Sequence, residues 1–125
     1  MRALGRHLLL ELKDCNREVL NDLNLLEEYL SDTAEKIGAT VVNKAFHQFS
    51  PHGVSGVVVV AESHLCIHTW PEYGYASIDV FTCGETIDPK DAVDILVDKL
   101  QAGHSSYMEL ERGVFTDSEI GCGVK

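Results

Sequence analysis

Between Val57 and Thr82 the chain carries three strand-like runs with almost no residues to spare between them. Val57–Ala61 is β-branched, and Leu65–Trp70 and Tyr75–Thr82 flank the turn sequence Pro71-Glu72-Tyr73-Gly74. Connections this short join antiparallel neighbours, because a parallel return needs a crossover of about a dozen residues. A hairpin-centred antiparallel block is therefore the frame on which everything else must pack.

The flanking segments supply the second layer. Leu4–Lys13 alternates, with Leu8, Leu10 and Leu12 on one side and His7, Leu9 and Glu11 on the other, which predicts a strand. Asn16 can cap a following helix whose Val19, Leu20, Leu23, Leu26, Leu30, Ala34 and Ile37 share a side, with room for a kink at Asn21 or Asp22. Gly38 stands where a left-handed residue stops a helix. Thr40–Phe49 reads as another strand, and Ser50-Pro51-His52-Gly53 as a turn. Asp88-Pro89 predicts a second helix with Pro at its first position, burying Ala92, Val93, Ile95, Leu96 and Leu100 and ending at Gly103. Tyr107–Val114 is the last strand, and the tail after Phe115 is expected to be loose. The expected fold class is α+β: a two-layer sandwich, a mostly antiparallel sheet with both helices on one face, in the order β-α-β-β-β-α-β. Helices on one face leave the other bare, and a second copy is the commonest cover. A homodimer with a larger α/β/β/α arrangement is expected.

Length and charge narrow the function. The 125 residues suit a single domain, 1–125, with 45% apolar and 24% charged types. Ten Lys and Arg against 20 Asp and Glu leave a formal net charge of −10, which repels phosphate backbones, so no nucleic-acid partner is expected. The apolar run Leu8–Leu10 is too short for a signal or a membrane span, so no membrane partner and a cytoplasmic location are expected. Cys15, Cys66, Cys83 and Cys122 form no Cys-x-x-Cys pair and suggest neither a zinc ribbon nor a disulfide framework.

Chemistry concentrates between Ala61 and Gly84. In a strand, His64, Cys66 and His68 share one face, while Ser63, Leu65 and Ile67 share the other. Two alternate histidines with Cys66 or Cys83 could hold zinc, but hydrogen-bonded strand histidines explain the pattern as well. Ser63 or Cys83 could act as a nucleophile with a histidine base, yet no Gly-x-Ser-x-Gly elbow is present. Gly53-Val54-Ser55-Gly56 lacks the spacing of a phosphate loop.

Longer motifs are more informative. Glu62-Ser63-His64, His68-Thr69-Trp70-Pro71-Glu72-Tyr73-Gly74-Tyr75 and Phe81-Thr82-Cys83-Gly84, with Phe49, Pro51, Gly53–Gly56 and Gly5-Arg6-His7 upstream, resemble the small prokaryotic S-adenosylmethionine decarboxylases over most of the chain. The resemblance implies a proenzyme that cuts itself between Glu62 and Ser63 into segments 1–62 and 63–125. In the family the serine hydroxyl converts the preceding amide to an ester, and α-proton removal, elimination and hydrolysis leave a covalent pyruvoyl cofactor. That ketone takes the substrate amine as a Schiff base and serves as the electron sink for loss of carbon dioxide from S-adenosylmethionine, supplying the aminopropyl donor for spermidine.

By the same resemblance Ser63 becomes the pyruvoyl, His68 is the processing base and Ser55 assists processing. Cys83 returns a proton to the substrate carbon, Phe49 stacks on adenine and Glu72 holds the ribose hydroxyls. No resident metal is implied. Cys66 departs from the small hydroxyl residue expected there and reads as a packing substitution, while His64 receives no role. An arginine or ornithine decarboxylase using the same cofactor, and a non-catalytic dimeric ligand-binding module, are the alternatives.

Spacing adds two independent expectations. A turn centred between Glu72 and Tyr73 sets Ser63 across from Thr82 or Cys83. Ser63 and His68 lie roughly 16 Å apart along an extended strand and on opposite faces, so His68 of the same chain should not reach Ser63, and a two-fold partner could supply it.

Overall fold

A computed structural model describes residues 2–61, 63–116 and 118; the expected cleavage-site residue Glu62 and also Cys122 lie outside the described residues. Its elements are β1 (Arg2–Lys13), α1 (Arg17–Leu20), α2 (Leu23–Lys36), β2 (Val41–Gln48), β3 (Val54–Val60), β4 (Ser63–Trp70), a single 3-10 turn at Pro71–Tyr73, β5 (Tyr75–Cys83), α3 (Asp91–Leu100) and β6 (His104–Phe115). One six-stranded sheet runs in the order β2-β3-β4-β5-β1-β6, and every pairing is antiparallel. The α+β sandwich is as expected, but four strands, not three, separate the helical segments. β3 and both hairpin strands are all distinct members of the sheet, so the expected order was one strand short.

Alternation decides which face is covered. Leu8, Leu10 and Leu12 of β1 are buried with Val54, Val58 and Val60 of β3, Leu65 and Ile67 of β4, and Ala76, Ile78 and Val80 of β5. Leu26, Leu30 and Ala34 of α2 and Ala92, Val93, Leu96 and Leu100 of α3 close over them in one core. The opposite face carries no helix, and it leaves Met108 61%, Leu110 42% and Trp70 39% exposed.

Local signals account for most boundaries. The expected first helix is broken where the kink was anticipated: Asn21 closes α1, and the Asp22 side chain accepts from Leu25 N to start α2. Asn16 caps α1 by accepting from Glu18 N and Val19 N, and Gly38 takes the left-handed φ of 98°. α3 starts later than Pro89, because the Asp88 side chain accepts from Lys90 N and a tight turn precedes the helix. Its left-handed terminator is Gln101, at φ 54°, rather than Gly103, whose N–H instead donates to Lys13 O. β3 begins at Val54, earlier than the β-branched run suggested, since Gly56 lets the Phe46 ring of β2 lie against the strand where a Cβ would clash.

Candidate active site

The side chains that chemistry can use stand at two ends of the central strands, most of them on the uncovered face. At one end Phe49, His52, Ser55, His68, Trp70 and Glu72 line a cleft of about 300 Å³. Ser55 and His68 are direct partners across β3 and β4, and Ser55 Oγ lies 2.8 Å from His68 Nδ1. That contact fixes the ring and leaves Nε2 as the nitrogen able to serve another group. Phe49 is 48% exposed and packs edge-on against His47 at 4.6 Å between centroids. Glu72 is held twice: Arg17 Nη1 donates to its backbone oxygen at 3.1 Å, and His52 Nε2 lies 3.2 Å from its Oε1.

At the other end stand Ser63, Thr82 and Cys83. His64 with Phe81 is the last pair between β4 and β5, and Thr82 and Cys83 follow just beyond it. Cys83 instead pairs with Gly5 of β1. Ser63 shares the parity of the buried Leu65 and Ile67, whereas Cys83 shares that of the uncovered face. Within one chain, then, His68 and Ser63 lie at opposite ends of β4, five residues apart and of opposite parity, as the spacing required.

Between the ends lies an aromatic and ionisable cluster. His7 stacks on Phe81 at 5.3 Å, His64 meets His7 edge-on at 6.2 Å, and Arg112 Nη1 lies 3.3 Å from His7 Nδ1. Burial, then the neighbouring His7, pushes the His64 imidazole below its ordinary value, and Asp79 only partly opposes this. Burial and then the Asp79 charge push the Cys66 thiol up, so it is a poor nucleophile and suits the packing role expected. Among the described residues no three His, Cys, Asp or Glu side chains group closely enough to hold a metal ion.

Sequence reasoning missed two residues here. Trp70 could have been placed with His68 by parity alone. His52 gives no signal in the sequence, because it reaches Glu72 from a separate turn.

The pattern of the family described as S-adenosylmethionine decarboxylase matches residues 6–113. A curated relative from Caldicellulosiruptor saccharolyticus is 55% identical over 115 residues, covering 92% of this chain and 93% of its own length. A Thermotoga maritima relative is 53% identical over 121 residues, covering 97% and 92%. Both are named S-adenosylmethionine decarboxylase proenzyme. The crystal structure of the adenosylmethionine decarboxylase from Aquifex aeolicus superposes with a TM-score of 0.87 at 32% identity, over 94% of this chain and 97% of that one. None of these relatives bears the name of an arginine or ornithine decarboxylase, and a non-catalytic module does not fit a chain this similar to enzymes. With two thirds of its length exceeded in each of these comparisons, this chain belongs to the S-adenosylmethionine decarboxylase family.

Proposed function

We propose that this chain, an enzyme of that family, cuts itself between Glu62 and Ser63 and decarboxylates S-adenosylmethionine with a pyruvoyl group made from Ser63. The observation that carries the reading is the cleft in which Ser55 and His68 contact each other beside Phe49 and Glu72. Ser63 suits the group because it opens a strand, so cleavage ahead of it creates a chain end free to turn toward Cys83 on the uncovered face. The pyruvoyl ketone supplies the electron sink for decarboxylation.

Each remaining role belongs to a side chain. Ser55 orients His68, whose Nε2 takes the α-proton during processing. Phe49 offers a ring face to adenine, Glu72 accepts from the ribose hydroxyls, and Cys83 delivers the proton to the substrate carbon. The product is an aminopropyl donor for spermidine.

The working unit is a homodimer formed through the uncovered face. The single chain separates His68 from Ser63 along β4, and an antiparallel two-fold pairing of that face would bring the His68 end of one protomer to the Ser63 end of the other. The exposed Val59, Met108, Leu110 and Val114 give this face the apolar character that a homodimer buries. Among the described residues no helix is long and apolar enough to cross a membrane, and cytoplasmic location follows as part of the reading. Intact-mass measurement tests it: two fragments, 1–62 and 63–125, are expected, the second lighter than its hydrolysis product by one ammonia. A single uncut mass after prolonged incubation would defeat the reading.

A further inference from the structure

Two turns frame the cleft, and the short helix α1 holds both. Arg17, at its start, donates from Nη1 to Glu72 O at 3.1 Å. Asn21, which closes it, accepts at Oδ1 from Gly53 N at 2.9 Å and from Gln48 Nε2 at 3.0 Å. Residues four apart stand on one side of a helix, so the two anchors face the same way. The turn ending at Gly53 is closed by Phe49 N, which donates to Gly53 O at 2.8 Å. These anchors fix where Phe49 and His52 stand relative to Glu72.

Between the turns His52 Nε2 lies 3.2 Å from Glu72 Oε1, with each side chain 38% exposed. A pair this open to water adds little to stability, because solvent screens it and two side chains lose freedom in forming it. Its consequence is geometric. The same two side chains also line a neighbouring cleft of about 380 Å³ beside Arg17. A Glu72 carboxylate without His52 has that cleft to turn into, drawn by the guanidinium fixed at its own backbone. A carboxylate offers about four acceptor positions, so one contact to His52 leaves Oε2 open to other donors.

We propose that His52 is a positioning residue for the substrate's ribose. Its Nε2–H donates to Glu72 Oε1 and keeps the carboxylate turned into the cleft with Phe49, leaving Oε2 to accept from the ribose hydroxyls. Asn21 acts one step further out, by holding the turn that carries His52. This role rests on the reading that Glu72 accepts from the ribose.

A kinetic cycle in the full-length protein tests it. His52→Leu removes the donor and keeps the bulk, His52→Gln keeps a donor, and Glu72→Gln removes the charge that His52 would hold. Each variant, and His52→Leu combined with Glu72→Gln, is assayed by carbon dioxide release from S-adenosylmethionine, with rates scaled to the amount of cleaved chain. His52→Leu should raise KM about tenfold, the net worth of one hydrogen bond to a charged group, with kcat held within about twofold. His52→Gln should recover most of that loss. In the Glu72→Gln background His52→Leu should add less than about twofold, since neighbours that act through one another are not additive. A His52→Leu chain with the parent KM overturns the proposal, as does one that loses kcat instead. So does a His52→Gln chain as impaired as His52→Leu, or a full tenfold loss added on top of Glu72→Gln. A parent that releases no carbon dioxide, or whose KM is unchanged by Glu72→Gln, would instead remove the reading of the pocket, and the role of His52 with it.

Discussion

The two faces of the sheet use the same six strands for opposite purposes. The covered face is aliphatic, with Leu8, Leu10, Val58, Leu65, Ile67, Ile78 and Val80 essentially sealed beneath the helices. The uncovered face alternates with it residue by residue and carries His7, His64, Cys66, His68, Asp79 and Cys83. Such side chains cost free energy when sealed from water, so a fold that needs them confines them to a face with no helix. The covered face therefore accounts for stability, and the uncovered face holds most of the side chains that the proposed chemistry and the proposed second copy would use.

The strongest way to break this division is to force the two ends of β4 into different chains. A Ser63→Ala chain coexpressed with a differently tagged His68→Ala chain should yield mixed dimers in which the second chain is cut, because its Ser63 meets the intact His68 of the first. Each variant alone should stay largely whole. If verified mixed dimers release no fragment, His68 acts within its own chain and the uncovered face is not where the site is completed.

Next in size is the separation of processing from turnover. Cys83→Ala should leave some cleavage, since attack needs the Ser63 hydroxyl and an α-proton base. Its decarboxylation should fall about 10²–10⁴-fold, the usual contribution of a positioned general acid. Mass spectrometry and carbon dioxide release on the same sample check both halves. Near-normal turnover would remove Cys83 from the mechanism.

A matched pair of truncations sharpens the contrast in stability. Ile67→Ala, at 0% exposure on the covered face, should cost about 2–5 kcal/mol in urea unfolding. Leu110→Ala, 42% exposed on β6, should cost well under 1 kcal/mol to the single chain yet weaken the dimer measured by ultracentrifugation. Equal losses at both positions would mean that the faces are not divided as described.

The covered face was the legible one, for a physical reason. Alternating leucines in β1 and apolar spacing in the helices report burial directly, so the strands and the core residues of α2 and α3 could be placed from the sequence. Boundaries set by single hydrogen bonds were not legible. Nothing in the sequence distinguishes Gly103 from Gln101 as the left-handed residue, because the choice is made by Gly103 N–H bonding back to Lys13. On the uncovered face the motifs name residues without saying where they stand. The Ser55–His68 pair depends on the β3–β4 register, which no periodicity in the sequence fixes. The His52–Glu72 contact joins two separate turns, and no periodicity connects them.

The smallest effect concerns the centre of the uncovered face under acid. His64 has its pKa lowered by burial and by His7, so folding favours its neutral form. Stability from this group is whole above the ordinary imidazole value of 6.5 and is lost as pH falls below it. Asp32, whose carboxyl is lowered by its hydrogen bond to Lys99, also loses stability in acid, but only near and below the carboxylate range that starts from 3.8. Melting temperatures between pH 7.5 and 5.5 thus separate the two groups. The groups facing His64 are His7 and Asp79, with Arg112 beyond His7; protonating His7 there opposes protonating His64, and Asp79 assists it. In an uncut Ser63→Ala background, His64→Gln should melt with a shallower fall on acidification than its parent, by much less than a core truncation costs. Parallel curves for the two chains would show that the uncovered face tolerates charge at its centre, and the contrast between the faces would then rest on packing alone.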